Sequence, residues 1–311
     1  MILVVGGTGR LGTQLVRLLT SRGEAVRVLA RDASSTSTPR SGTVEFVAGD
    51  VRDRPSLQRA MQGVTVAVSA MHGFPGNRQD NPTTVDREGN IHLTNAAAQA
   101  GADLVMMSIV GASPTHPMEL FRMKSAAEEH ARHTGLPLTV IRCSAYLELW
   151  VSILQQTAQR SGRPVVFGRG QNPINFVSVT DVAAIVDRAV SDRSARGQTV
   201  QVTGPENLTM NELATVVQSA AGRSTPARHV PRTALRLGAA TTAWVNPTMS
   251  RQLAAALWMD TIDLASEQSQ LPVGYPRPQT SASALLAAHQ GAQAVARADD
   301  PSLSGDTSAP A

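Results

Sequence analysis

The chain has 311 residues, 42% of them hydrophobic and 17% charged, a balance that suits a folded domain with a sizeable core and excludes disorder throughout. Aromatic residues make up 3% and the formal charge is +4 from scattered arginines, so no base-stacking surface or basic stripe is present and no nucleic-acid partner is expected. With Cys143 the only cysteine, an internal disulfide is excluded. No apolar run approaches the roughly 18 residues of a spanning helix and no leader pattern opens the chain, so the reading is a cytoplasmic protein without a membrane partner.

Short apolar runs alternate with helical patterns over the first two hundred residues. Strands are predicted at Ile2–Val5, Ala25–Ala30, Val44–Ala48, Val64–Ser69, Leu104–Ser108, Leu138–Arg142 and Thr199–Val202. Between them, helices are predicted at Gly12–Ser21, Pro55–Met61 (capped by Asp53), Asp86–Ala100, Met118–Thr134 and Val182–Ser191. This alternation implies a doubly wound parallel α/β sheet of Rossmann type, built through right-handed crossovers. Beyond Gly204 the pattern turns helical: Thr209-Met-Asn-Glu212 is a capping box, and 232–264 reads as helix interrupted at Pro247. A single domain over 1–275 is therefore expected, with a smaller, mostly helical cap contributed by 146–175 and 205–275. Residues 276–311 are expected to form a poorly ordered tail, broken at most by a short helix near Ser283–Val295.

The most informative stretch is Gly6-Gly7-Thr8-Gly9-Arg10-Leu11-Gly12, placed between the first strand and the first helix. Glycines spaced three apart let the chain turn sharply, admit a diphosphate against the backbone and pack the helix on the sheet. The helix N-terminus then offers amide protons and a positive dipole end to phosphate. Arg31, at the end of the second strand, stands where an arginine selects the 2′-phosphate of NADP, with Arg10 able to assist and Asp32 able to pair with it instead. Asp50, after the third strand, is placed either to accept from the adenine amino group or to cap the following turn. Among 28 basic residues Lys124 is the only lysine, so this position retains a compact ammonium where arginine otherwise prevails. It reads either as a contact to the nicotinamide ribose or as a surface lysine paired with Glu128 one turn on.

Together these segments resemble the NmrA-like NAD(P)H-binding family of atypical short-chain dehydrogenase/reductases. The resemblance runs from GGTGRLG through Gly49-Asp50-Val51, the helix holding Asn90, Ser108-Ile-Val-Gly111, Lys124 with Glu128, and Leu136-Pro-Leu-Thr-Val-Ile-Arg142. It continues through Asn175-Phe-Val-Ser-Val-Thr-Asp181-Val-Ala and Val202-Thr-Gly204-Pro-Glu206, covering about Met1 to Gly222. It implies that Gly6, Thr8, Gly9, Arg10, Leu11 and Gly12 hold the pyrophosphate, Arg31 the adenosine phosphate, and Asp50 and Val51 the adenine. It further implies that Ser69, Ala70 and Met71 line the nicotinamide ribose with Lys124. The related enzymes use a Tyr-x-x-x-Lys pair, in which the lysine lowers the tyrosine pKa. Here the chain departs: Leu120 stands four residues before Lys124, and neither Tyr146 nor Tyr275 is in register.

The candidate catalytic residues are accordingly Lys124, Ser108 and Tyr146, with His72 as a further proton donor. The functional expectation is an NADPH-dependent reductase passing hydride to a quinone-like or conjugated carbonyl acceptor, whose delocalised oxyanion needs little acid assistance. The alternative is a non-catalytic NAD(P)H-binding redox sensor read by a partner protein. No metal site is expected, and the oligomeric state is left open.

Overall fold

A computed structural model describes residues 1–32, 44–267, 269 and 271–298, the last six of them as backbone only. Seven parallel strands form the central sheet: β1 (Ile2–Val5), β2 (Val26–Ala30), β3 (Val44–Ala48), β4 (Val66–Ser69), β5 (Asp103–Ile109), β6 (Leu138–Cys143) and, after three short strands, β10 (Thr199–Val202). Their spatial order is β10-β6-β5-β4-β1-β2-β3. The chain runs outward from β1 to β3 and then returns to the other side of β1, so the winding reverses between β1 and β4. At such a reversal the crossovers leave a crevice beyond the carboxyl ends of the strands.

Side chains alternate across the strands, and the two faces bury different helices. On one face Val4, Val28, Val68, Val105 and Ile141 pack on α1 (Arg10–Ser21) and α6 (Val179–Ser191) through Leu15, Leu19, Val182 and Val186. On the other, Leu3, Val5, Leu29, Met106 and Val140 meet α2 (Arg54–Ala60), α3 (Asn90–Ala100) and α4 (Glu119–His133) through Leu57, Leu93, Ala97, Ala127 and Ala131. Asp53 caps α2 as its sequence predicts, its carboxylate accepting from the Ser56 amide.

The helix predicted from Asp86 starts earlier. A π-helical stretch from Pro82 to Gly89 leads directly into α3. It starts at Asn81, whose side chain accepts from the Thr84 amide while the Thr84 hydroxyl accepts from the Asn81 amide. The polar run Pro82-Thr-Thr hides this start from a search for apolar periodicity, because its caps rather than its faces define it.

The cap is a mixed layer. It holds β7 (Ala145–Tyr146), α5 (Leu147–Ser161), β8 (Val165–Phe167), β9 (Pro173–Val177), β11 (Glu206–Thr209), α7 (Met210–Ala220), β12 (Arg228–Val230), α8 (Arg232–Thr242), α9 (Pro247–Met259) and α10 (Ala282–Ala298). The capping box at Thr209 opens α7 as expected. The short helix expected near Ser283–Val295 is present, and the poor order expected of the tail around it is corrected by the packing of α10. Its Ala282, Leu285 and Leu286 are buried against Leu147, Leu154, Leu213 and Val217, so this stretch gains apolar burial that its composition alone does not advertise. The last thirteen positions, 299–311, lie outside the described residues.

Candidate functional site

The loop from β1 to α1 lies at the mouth of the crevice. Gly6 adopts φ +87°, and a Cβ there would stand 2.7 Å from the Ala70 carbonyl oxygen, so only glycine permits the glycine turn to approach the end of β4 this closely. A Cβ on Gly12 would overlap the Gly6 carbonyl oxygen and stand 2.5 Å from Gly7 Cα, so its missing side chain lets α1 start directly against the turn. Gly9 has an ordinary φ of −78° and serves as the helix N-cap without a side-chain bond, and the first turn of α1 holds no acidic residue. The first amides of α1 are thus left without a side-chain acceptor beside exposed Thr8, Gly9 and Arg10, while Leu11 is buried in the core. This is a cradle that a side chain would fill and that the positive end of a helix faces, which fits a diphosphate.

Beyond the carboxyl ends of β2 and β3 lies a network of four charges. Arg31 directly follows β2 with its side chain 67% exposed, and its Nη1 donates to Asp80 Oδ2 at 2.5 Å. The other oxygen of Asp80 lies 3.1 Å from Nη1 of Arg52. Arg52 in turn grips Asp50 with Nη2 at 2.5 Å and Nε at 2.9 Å. That bidentate bond holds the Asp50 carboxyl below the usual carboxylate range. Asp50 Oδ1 also accepts from the Arg52 amide at 2.9 Å, so Asp50 caps the following turn, one of its two expected roles, and Arg31 is paired with Asp80. Val51, beside Asp50, packs near Gly89 together with the Met71 sulfur; a Cβ on Gly89 would stand 2.9 Å from the Val51 side chain and 3.1 Å from Sδ.

Under the ends of β4 and β5 a second polar cluster is buried. The Ser69 hydroxyl donates to Asn90 Oδ1 at 2.5 Å, and Asn90 Nδ2 donates to the Asp86 carbonyl at 2.7 Å. The Asp86 carboxylate is wholly buried. One oxygen accepts from the Gly73 amide at 2.9 Å, and the other lies 2.9 Å from Lys124 Nζ and 3.6 Å from Nδ1 of half-exposed His72. Burial alone would raise this carboxyl, but the Lys124 charge and His72 more than offset it and bring its pKa to about 2. Lys124 also donates to the Met71 and Met107 carbonyls, each at 3.2 Å. Two hydrogen bonds and one ion pair thus hold the ammonium inside the protein. The surface pairing with Glu128 is thus corrected: the partner of Lys124 is Asp86, brought in by the π-helical stretch.

Glu128 anchors a third group. Its buried carboxylate accepts from Ser108 Oγ at 2.5 Å, from Arg142 at 3.0 and 2.7 Å, and from Arg132 at 2.8 Å. Burial raises this carboxyl, and the bonds from Arg142, Ser108 and Arg132 outweigh it, leaving the pKa lowered. The Ser108 hydroxyl is therefore committed to Glu128. Tyr146 places its hydroxyl 3.5 Å from Cys143 Sγ, which also faces the Ser108 carbonyl at 3.4 Å. Desolvation raises the Tyr146 phenol well above 10 and raises the Cys143 thiol. Leu120, at the position four before Lys124, is buried, and Phe121 stacks on His116 at 3.9 Å between centroids.

The structure thus gathers the glycine turn, Ser69, Ala70, Met71 and Lys124 around the β1/β4 reversal, and Arg31, Asp50 and Val51 along its β2 and β3 side. Ser108 and Tyr146 meet each other through Cys143 and make no hydrogen bond to Lys124. Sequence reasoning misses Asp86, Asp80 and Arg52. Of these, only Arg52 leaves a signal, as the basic residue two after Asp50.

The NmrA-like family model matches residues 1–254. Among curated proteins, the chain is 28% identical over 258 residues to an NAD(P)H azoreductase of Xenophilus azovorans, covering 83% of this chain and 85% of the relative. It is 30% identical over 225 residues to a (4-alkanoyl-5-oxo-2,5-dihydrofuran-3-yl)methyl phosphate reductase of Streptomyces griseus subsp. griseus, covering 72% and 74%. Among solved structures, an NADPH-dependent quinone oxidoreductase of Escherichia coli complexed with NADPH superposes with a TM-score of 0.72 at 19% identity, over 93% of this chain and 100% of that one.

Proposed function

The chain belongs to the NmrA-like family, and on that premise we propose that it is an NADPH-dependent reductase passing hydride to a quinone-like or conjugated carbonyl acceptor. The observation that carries the reading is the side-chain-free cradle of Gly6, Gly9 and Gly12 at the start of α1, with two arginines beyond β2 and β3. The relatives named as azoreductase and dihydrofuranone phosphate reductase support a reductase. The neighbour solved with NADPH supports the phosphorylated dinucleotide.

The nicotinamide, when bound, supplies the hydride. The chain's own residues bind and orient. The first amides of α1 take the diphosphate, Arg31 takes the 2′-phosphate, and Asp50 and Val51 border the adenine. Ser69, Ala70 and Met71 line the ribose, and Lys124 fixes that wall by holding the Met71 carbonyl against Asp86. With leucine at 120, no phenol stands one turn before Lys124 to protonate an alkoxide. A conjugated acceptor suits such a site, because its reduced oxyanion spreads its charge and demands less of a donor.

Leu120 also favours a second reading, a non-catalytic NAD(P)H sensor. Stopped-flow oxidation of NADPH against a panel of quinones, enones and azo compounds separates the two. Turnover well above background supports the reductase, and tight NADPH binding with no turnover supports the sensor. Binding of neither NADPH nor NADH at millimolar concentration overturns both.

A further inference from the structure

The four-charge network beyond β2 and β3 holds an anion where a dinucleotide's ribose would present one. In a Rossmann crevice the end of β2 borders the adenosine ribose, and here two guanidiniums, Arg31 and Arg52, converge on a single carboxylate, Asp80, at 2.5 and 3.1 Å. Two guanidiniums sharing one acceptor is the usual geometry for a phosphate, which offers three oxygens to planar forks. Asp80 comes from another part of the chain. It lies in the tight loop after β4, where the Asn77 carboxamide oxygen accepts from the Asp80 amide at 3.0 Å. The cap straps the same loop: Arg251 donates to the Gly76 carbonyl at 2.9 Å, and Arg78 donates to the Trp244 carbonyl at 2.7 Å. Asp80 is thus an internal anion carried on a separate, tethered element.

We propose that Asp80 is a built-in competitor for the 2′-phosphate, holding Arg31 and Arg52 when no nucleotide is bound and yielding both to the phosphate. Arg52 is then the second phosphate ligand beside Arg31, and Asp80 sets how strongly the site prefers the phosphorylated dinucleotide. The reasoning is electrostatic. A phosphate carrying close to two negative charges cannot share two partly exposed arginines with a carboxylate a few ångströms away, so Asp80 must release them. Asp50 keeps its own bidentate hold on Arg52 and so fixes that guanidinium in place for the incoming group. A dinucleotide with a bare 2′-hydroxyl has no charge with which to compete, so Asp80 leaves its affinity almost untouched. This inference rests on the crevice being a dinucleotide site.

The test is equilibrium binding of NADPH, NADH and adenosine 2′,5′-bisphosphate to wild type, Asp80→Asn and Arg52→Gln at fixed ionic strength. Asp80→Asn should tighten NADPH and the bisphosphate about 5- to 10-fold, the scale of one partly exposed ion pair, and move NADH less than about twofold. Arg52→Gln should weaken NADPH and the bisphosphate about 10-fold with little change in NADH. If wild type binds NADPH and neither substitution alters the ratio of NADPH to NADH affinity, the competitor role is overturned while the nucleotide site stands. Selective loss of NADH in Asp80→Asn makes Asp80 a ribose ligand and also overturns it. If no protein binds any of the three, the competitor and the site fall together.

Discussion

Lys124, the only lysine of the chain, sets its ammonium 2.9 Å from a carboxylate oxygen of Asp86 that has no solvent exposure. The pair ties α4 to the π-helical stretch that leads into α3, and the same ammonium gathers the carbonyls of Met71, just after β4, and of Met107 in β5. Lys124→Met would leave a buried, uncompensated carboxylate, a change that costs about 3–5 kcal/mol of stability. Urea unfolding should show that loss, and Lys124→Met combined with Asp86→Asn should recover part of it. A single substitution costing under about 1 kcal/mol would mean that the pair is solvated and that Lys124 is free for a ligand.

The depressed Asp86 carboxyl makes a pH prediction with a definite sign. Its folded pKa of about 2 lies below its ordinary 3.8, so the ionised form is favoured by folding. The contribution, about 2 kcal/mol, is complete above pH 3.8 and is lost as pH falls towards 2. Unfolding free energies of wild type and Asp86→Asn should therefore differ most above about pH 4 and converge below it. A difference that grows on acidification would reverse the assignment.

The legible and illegible parts of this site divide by the range of the interaction that defines them. Gly6, Gly9 and Gly12 act through the backbone within seven residues of one another, and their spacing carries their function without reference to the rest of the chain. Arg31 is legible because a strand's end is a fixed place in a doubly wound sheet. Lys124 is legible as a position but not as a contact, since Asp86 reads in the sequence as an ordinary helix acid. Only the Asn81 cap and the π-helical turns after it deliver that carboxylate to α4. Glu128 shows the same limit. Its helical neighbour one turn before is a lysine, yet its bonds go to Arg132 one turn after and to Arg142 on β6, because strand pairing sets that arginine beside it. The cap and the packing of α10 on it are the least legible, their faces being apolar only in relation to one another.

Ser108 and Glu128 are predicted to be structural. The serine hydroxyl donates to a buried carboxylate already carrying two arginines, so Ser108→Ala removes one charge-assisted bond and should cost about 1.5–3 kcal/mol. Turnover with a quinone should stay within about threefold of wild type, far from the 100-fold or larger loss of a removed proton donor. Glu128→Gln strands two guanidiniums and should cost more stability than Ser108→Ala. A Ser108→Ala protein of unchanged stability and collapsed turnover would return the serine to the chemistry.

The glycines of the opening turn should separate folding from binding. Gly12→Ala drives a methyl into the Gly6 carbonyl, so it should destabilise the fold and abolish nucleotide binding together. At Gly9 the φ of −78° suits alanine, and the nearest atom to a new Cβ, the Gly6 oxygen, is 3.3 Å away. Gly9→Ala should therefore fold with a loss of about 1 kcal/mol or less while weakening NADPH at least about tenfold, because the methyl stands where a phosphate must meet the amides. Thermal unfolding and fluorescence titration on the same preparation read both effects, and equal loss in the two would show that Gly9 serves packing alone.

Tyr146, a candidate catalytic residue by sequence, gives the last test together with its neighbour Cys143. Burial raises both groups, and the phenol and thiol lie 3.5 Å apart. A phenol held well above its ordinary range and facing a thiol is a poor donor near neutral pH. Tyr146→Phe should leave quinone turnover within about threefold and the pH profile unmoved. The thiolate is the reactive form, so the raised, buried thiol should resist iodoacetamide in the folded protein and react only at the rate of unfolding. Rapid labelling of the native chain, or a fall of about 100-fold in Tyr146→Phe, would instead place this pair at the edge of the crevice as a working acid.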